Sequence, residues 1–250
     1  MRDRNLTPKI IARNLDMLAN YLLKKGLISR DSYSAILSAR SEASEKRIPI
    51  LGYRIRREKP LSFKECECDG QKMRVEVFCV MAYDENFKIK KQNVEIRVWS
   101  LEKNLSYREG LDAKELEQQF TEKNWERVIM RFHFDLKPDE ANEPIFHFHV
   151  GGRICDDADE FCWISEKIET PRIPYQPMDL ILVTEFILRN FFATDEKAQK
   201  LLIDPAWRKL VIGSQECFVK GYYKNLVNHG FSEGATLLDN LCNSPKISNI

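Results

Sequence analysis

The 250-residue chain is 43% hydrophobic and 31% charged, a composition that belongs to folded globular proteins and excludes a disordered chain. Its 39 basic side chains are balanced by 38 acidic ones, so no global field draws it to nucleic acid or an anionic membrane, and such binding needs a local patch. No apolar run reaches the roughly 18 residues of a membrane span; the nearest, Leu180 to Phe192, is interrupted by Glu185 and Arg189.

The opening residues, Met1 to Pro8, lack the apolar stretch of a signal peptide. The seven cysteines are odd in number and scattered, which reads as reduced thiols in a cytoplasmic protein. The expected architecture is one α+β domain over 1–250. It divides into a helical segment (1–47), an antiparallel sheet (48–169), C-terminal helices packing on that sheet (170–242) and a polar tail (243–250).

In chain order, Thr7 is placed as an N-cap with Pro8 at the first helical position. Ile11, Leu15, Leu18 and Leu22 follow at helical spacing, and Gly26 ends the helix. Ser29 caps a second helix carrying Tyr33, Ile36 and Leu37, and the two make an antiparallel hairpin. The period then changes to two. Val75, Val77, Cys79, Met81 and Tyr83 alternate with other residues, as do Val94 to Ser100 and Val128, Met130, Phe132 and Phe134. Turn clusters at Asp69-Gly70 and Asp84 to Asn86 separate these runs, so an antiparallel meander with one buried face is predicted. A helix is expected to interrupt it between Asp112 and Lys123, and a polar connection over Lys137 to Pro144.

Beyond a proline-punctuated entry at Pro171, Pro174 and Pro177, the residues Leu180, Ile181, Thr184, Ile187, Leu188 and Phe191 form a helical apolar stripe. Asp204-Pro205 is placed to start another helix, and Ser214 a further one running to about Asn228.

Chemistry concentrates in two segments, Arg131-Phe-His133-Phe-Asp135 and Phe146-His147-Phe-His149-Val-Gly-Gly152. Strand parity puts Arg131, His133 and Asp135 on one face, and His147 and His149 on one face of the next strand, with the phenylalanines opposite. A hairpin brings these faces together. His133, His147 and His149 are then candidate ligands of a divalent metal, and His133, Asp135, His147 and His149 a candidate catalytic set. The plainer expectation has the phenylalanines as core and the histidines on a partly solvated face.

The Gly151-Gly152-Arg153 turn offers amides and a guanidinium to an anion, or simply a bend. Arg54, Arg56 and Arg57, with Lys88, Lys90 and Lys91, Arg131 and Arg153, are the candidate anion or nucleic-acid contacts. Charged edge strands also serve to prevent aggregation. Cys66 and Cys68, and Cys155 and Cys162, lack the Cys-x-x-Cys spacing of a structural zinc site. Phosphate-loop, dinucleotide and serine-hydrolase signatures are absent from the sequence.

The run from Phe146 to Gly151, then Pro171-Arg-Ile-Pro174, Pro177 to Ile181 and Ile187 to Phe192, resembles a group of bacterial proteins of unknown function, some encoded beside phage-defence genes. That resemblance covers about 50 residues of the 250. It implies bacterial origin and a role in defence against mobile elements.

Three functions are carried forward. The first is a non-catalytic accessory subunit of a bacterial multi-protein system, docking protein partners through Phe191, Phe192, Trp207, Tyr222 and Tyr223, with no cofactor. The second is a metal-dependent or histidine-based hydrolase of phosphoesters or nucleic acid. The third is a nucleic-acid-binding module built on the basic strands.

Overall fold

The computed structural model describes residues 6–45, 51–68, 70–85, 88–101, 127–136, 146–153, 163–164 and 173–229. The fold is α+β, with helices before and after an antiparallel sheet, as expected. The expected helix over 112–123, the connection over 137–144 and the tail over 243–250 lie outside the described residues.

Helix α1 (Pro8–Lys24) starts where Thr7 accepts a hydrogen bond from the Ile10 amide, and it buries Ile11, Leu15, Leu18 and Leu22. Its end is closed by Gly26 at φ 68°, a left-handed conformation that glycine adopts without steric penalty, with Leu27 N–H reaching back to Leu22 C=O. Helix α2 (Arg30–Ser44) is capped by Ser29 and packs antiparallel to α1 through Ile36, Ala35 and Ala39. Further along, Ser32 Oγ donates to the Ser62 carbonyl and accepts from the Ser62 amide, fastening α2 to the sheet.

Ten strands follow: β1 (Leu51–Ile55), β2 (Leu61–Ser62), β3 (Cys66–Cys68), β4 (Gln71–Tyr83), β5 (Ile89–Ser100), β6 (Arg127–Leu136), β7 (Phe146–Val150), β8 (Gly152–Arg153), β9 (Trp163–Ile164) and β10 (Ile173–Pro174). The main sheet runs β1-β4-β5-β6-β7-β10, with β2 and β3 also paired to β4, and β8 pairs with β9 separately. Gly70 takes φ 78° between β3 and β4, as a tight hairpin turn requires.

Three helices complete the described chain: α3 (Leu180–Phe191), α4 (Glu196–Leu202) and α5 (Pro205–His229). Asp179 caps α3 by accepting from Leu182 N–H, and Asp195 caps α4, which the sequence reading did not anticipate. The break expected at Ser214 does not occur. Gly213 and Ser214 cost a helix only about 1 kcal/mol or less each, and Ser214 is buried in mid-helix, so α5 continues through them.

The sheet has two chemically different faces. One carries Val75, Val77, Met81, Val94, Ile96, Phe132 and Phe134 and receives the helices. Phe132 packs edge-on against Phe186 and Phe191 of α3, Tyr83 stacks on Phe218 of α5, and Phe146 meets Tyr222. The other face carries charge.

Candidate functional site: a histidine–aspartate centre on the polar face

The polar face is built by register. Within β5, β6 and β7, Glu95 stands opposite His133, and His133 opposite His149, which makes one row across three strands. In the neighbouring rows Asn93, Asp135 and His147 align, and Arg97 aligns with Arg131. Because side chains alternate, all of these point away from the helices.

The face expected to be partly solvated is buried at most of its centre, while His133, Asn93 and Arg97 are half-buried. Relative exposure is 1% at Glu95, 6% at Arg131, 5% at Asp135, 1% at His147 and 8% at His149. The histidines therefore converge rather than merely facing water. Nε2 of His149 lies 2.9 Å from Nδ1 of His133, and the rings are 4.9 Å apart. Nε2 of His133 lies 3.2 Å from Oδ1 of Asp135. Arg131 donates from Nη2 to the same Nδ1 of His133 at 3.3 Å. A guanidinium only donates, so Nδ1 is the acceptor and the proton of a neutral His133 rests on Nε2, toward Asp135.

Electrostatics follow from this packing. Burial by itself raises the pKa of Asp135, but the His133 contact and the nearby His147 and His149 overcome it and hold the carboxyl below its ordinary value. Glu95 behaves likewise: burial opposes its ionisation, while Arg131 and Arg97 outweigh burial and lower its pKa. Glu95 contacts Arg97 at 2.5 Å, Arg131 at 3.1 Å and Arg57 at 3.2 Å. With neutral imidazoles, the three guanidiniums and two carboxylates of this cluster carry one positive charge in surplus, beside the mutually paired Arg74 and Glu76 of the same face. Arg131 is also locked to Gly151, donating from Nη1 to its carbonyl at 3.1 Å while Gly151 N–H donates to the Arg131 carbonyl at 2.8 Å.

His133, Asp135 and His149 are the residues whose potential ligand atoms meet: one nitrogen from each ring and one carboxylate oxygen lie within 4.8 Å of one another. His147 stands beside them, opposite Asp135. Gly151, at φ 84°, makes the bend, and its amide is occupied by a backbone carbonyl rather than offered to an anion. The side chain of Arg153 lies outside the described residues, as do Cys155 and Cys162.

The basic stretches are only partly brought together. Arg54 and Arg56 both pair with Glu42 of α2, and Arg57 reaches Glu95. Lys90 and Lys91 are exposed, and Lys88 is half-buried. Of the aromatics expected to dock a partner, Phe191, Phe192, Trp207 and Tyr222 belong to the core, and Tyr223 is exposed. Cys66 and Cys68 are free thiols, and burial pushes Cys66 up to about 11.

Glu95 and Arg97 are participants that sequence reasoning takes only as alternating charge on a strand. Their alternation marked a strand face, but which strand lay beside the histidines was hidden by the long stretch between β5 and β6.

The fold and site together define an α+β protein with a histidine–aspartate centre on the polar face of an antiparallel sheet. Among the described residues no helix is long and apolar enough to cross a membrane. No family model, curated protein or solved structure matches the chain.

Proposed function

We propose that the protein is a hydrolase in which His133, His149 and Asp135 activate water for attack on a phosphoester. The observation that carries this reading is the convergence of two imidazoles and a carboxylate, with Asp135 and His149 buried and His133 half-buried. Once substrate draws Arg131 and His149 away from Nδ1 of His133, which they occupy in the free protein, a water there gives up a proton to that nitrogen as its oxygen bonds to phosphorus. Asp135, at the opposite ring nitrogen, stabilises the imidazolium that results. The ester P–O bond breaks, and the proton passes from His133 to the departing alkoxide.

An anionic substrate is favoured by the surplus positive charge of the Glu95 and Arg131 neighbourhood, since guanidinium groups stabilise the charge that develops on phosphoryl oxygens. The test is turnover of p-nitrophenyl phosphate, bis-p-nitrophenyl phosphate and single-stranded DNA or RNA by the purified full chain. Loss of the acid–base group in His133→Ala is expected to lower kcat by about 10²- to 10⁴-fold. Turnover equal in wild type and His133→Ala, or none with any of these substrates, would falsify the proposal.

A further inference from the structure

We infer that His133, His149 and Asp135 bind a divalent transition-metal ion at the point where their side chains meet. Metal binding itself stands on geometry alone; only its part in water activation rests on the hydrolytic reading above, and there the ion would take over from Nδ1 of His133 the task of acidifying the water.

Nδ1 of His133 and Nε2 of His149 are 2.9 Å apart, too close for two lone pairs to face each other with nothing between. A proton on His149 fills that gap in the metal-free protein. A metal ion fills it when the two rings part slightly, with release of the proton, because metal-binding imidazoles must present a lone pair. In a tetrahedral site with metal–nitrogen bonds of about 2.0–2.1 Å, ligand atoms lie about 3.3 Å from one another. The three ligand atoms here fall within 4.8 Å, so small side-chain rotations complete the set. All three residues sit on paired strands whose backbones are held by the ladder, which limits what must be ordered on binding.

The proton on Nε2 of His133 directs that edge to Asp135, so Nδ1 is the nitrogen left for the ion. A carboxylate behind a metal-binding histidine fixes its tautomer and makes it a stronger ligand. Asp135 serves in this way in the metal-free protein, and it supplies an oxygen to the ion by turning from Nε2 toward the gap between the two rings. Arg131 is the apparent obstacle, since its Nη2 lies 3.3 Å from the same Nδ1. Its other contacts, to Glu95 at 3.1 Å and to the Gly151 carbonyl at 3.1 Å, hold it when the ion takes over that lone pair. Glu95 thus offsets the charge of Arg131, the guanidinium nearest the ion, and Asp135 lowers the repulsion further by binding it.

Two imidazoles and a carboxylate select zinc, cobalt, nickel, iron or manganese over magnesium or calcium, which take mostly oxygen. Three protein ligands leave at least one position for water, whose acidity the ion would raise.

The test is titration of the chelator-treated full chain with Co(II), read by visible absorption, and with Zn(II), read by calorimetry. One ion per chain is expected. His149→Ala should weaken binding at least about 100-fold and Asp135→Asn about 10- to 100-fold, the range seen when supporting groups of a metal ligand are removed. His149→Cys keeps a ligand at that position and should restore uptake, with a new sulfur-to-cobalt charge-transfer band that a merely structural histidine would not produce. No stoichiometric uptake by the wild type, or uptake undiminished in His149→Ala, overturns the inference. Uptake without hydrolysis removes the hydrolase and leaves the metal site. Chelator-resistant hydrolysis without uptake does the reverse.

Discussion

Three guanidiniums gathered on one nearly water-free carboxylate form a group whose members depend on each other, and Glu95 is the member with no substitute. Glu95→Gln keeps the shape but removes the charge that Arg131 needs in its buried position. Breaking a buried pair from one side costs about 3 kcal/mol or more, and the lower end applies here because Arg97 and Arg57 retain access to solvent. Arg57→Gln, at the exposed rim of the same cluster, should cost less than about 1 kcal/mol. Urea denaturation of the two variants checks the contrast; equal losses would show that burial does not decide it. At this scale much was readable in advance. His133, Asp135 and His149 share parity with each other on consecutive strands, and their shared face followed from counting by twos. Glu95 could not be placed that way, because parity orders residues within a strand and says nothing about which distant strand becomes the neighbour.

Among the elements, β1 shows how closely the sheet is fitted at its margin. A Cβ placed on Gly52 would meet the Met81 carbonyl oxygen of β4 at 2.1 Å, and the obstacle is backbone that cannot rotate aside. Gly52→Ala is therefore expected to destabilise by about 3 kcal/mol, the upper end of the usual cost of overpacking. Loss of amide protection along β1 in hydrogen exchange, with β6 and β7 retained, would locate the damage; unchanged protection would refute it. The helices with strong local signals were visible in the sequence, α1 and α2 through their caps and apolar spacing and α3 through its apolar spacing alone. Helix α4 is only seven residues long and carries too little periodicity to stand out. The continuity of α5 escaped because Ser214 resembles a cap in isolation and acts as a small buried residue in context.

Across the whole molecule, two buried carboxylates pull the pH dependence of stability in opposite directions. The folded pKa of Glu95 is depressed, so its stabilisation is present above the unfolded value and disappears as pH falls. Asp179 is the opposite case. Burial raises its pKa more than the Leu182 and Ile181 amides lower it, in a small pocket shared with Tyr53, Tyr83 and Ser214. The folded state then holds that proton more tightly than the unfolded chain, and stability is lost as pH rises from about 4 toward the raised value. Asparagine also caps helices well, so Asp179→Asn should preserve α3 while removing this loss. Urea midpoints measured from pH 4 to pH 7 should be flatter in the variant than in the wild type; parallel curves would exclude Asp179 as the source. The α+β layering was legible from the change of period along the chain. What the polar face holds was not, because charged strand faces ordinarily meet solvent.

The pairing of β6 with β7 also makes the centre an all-or-none object. Side chains on a strand have a period of two, so a slip of one residue would turn His147 and His149 toward the helices and bring Phe146 and Phe148 into the charged layer. No partial version of that error is available, since each intermediate register exposes or buries the entire set. The stack of Phe134 on Phe148 supports the same register from the helix-facing side of the sheet. The centre is therefore kept from both sides of the sheet at once, by core rings that must face the helices and polar groups that must face away.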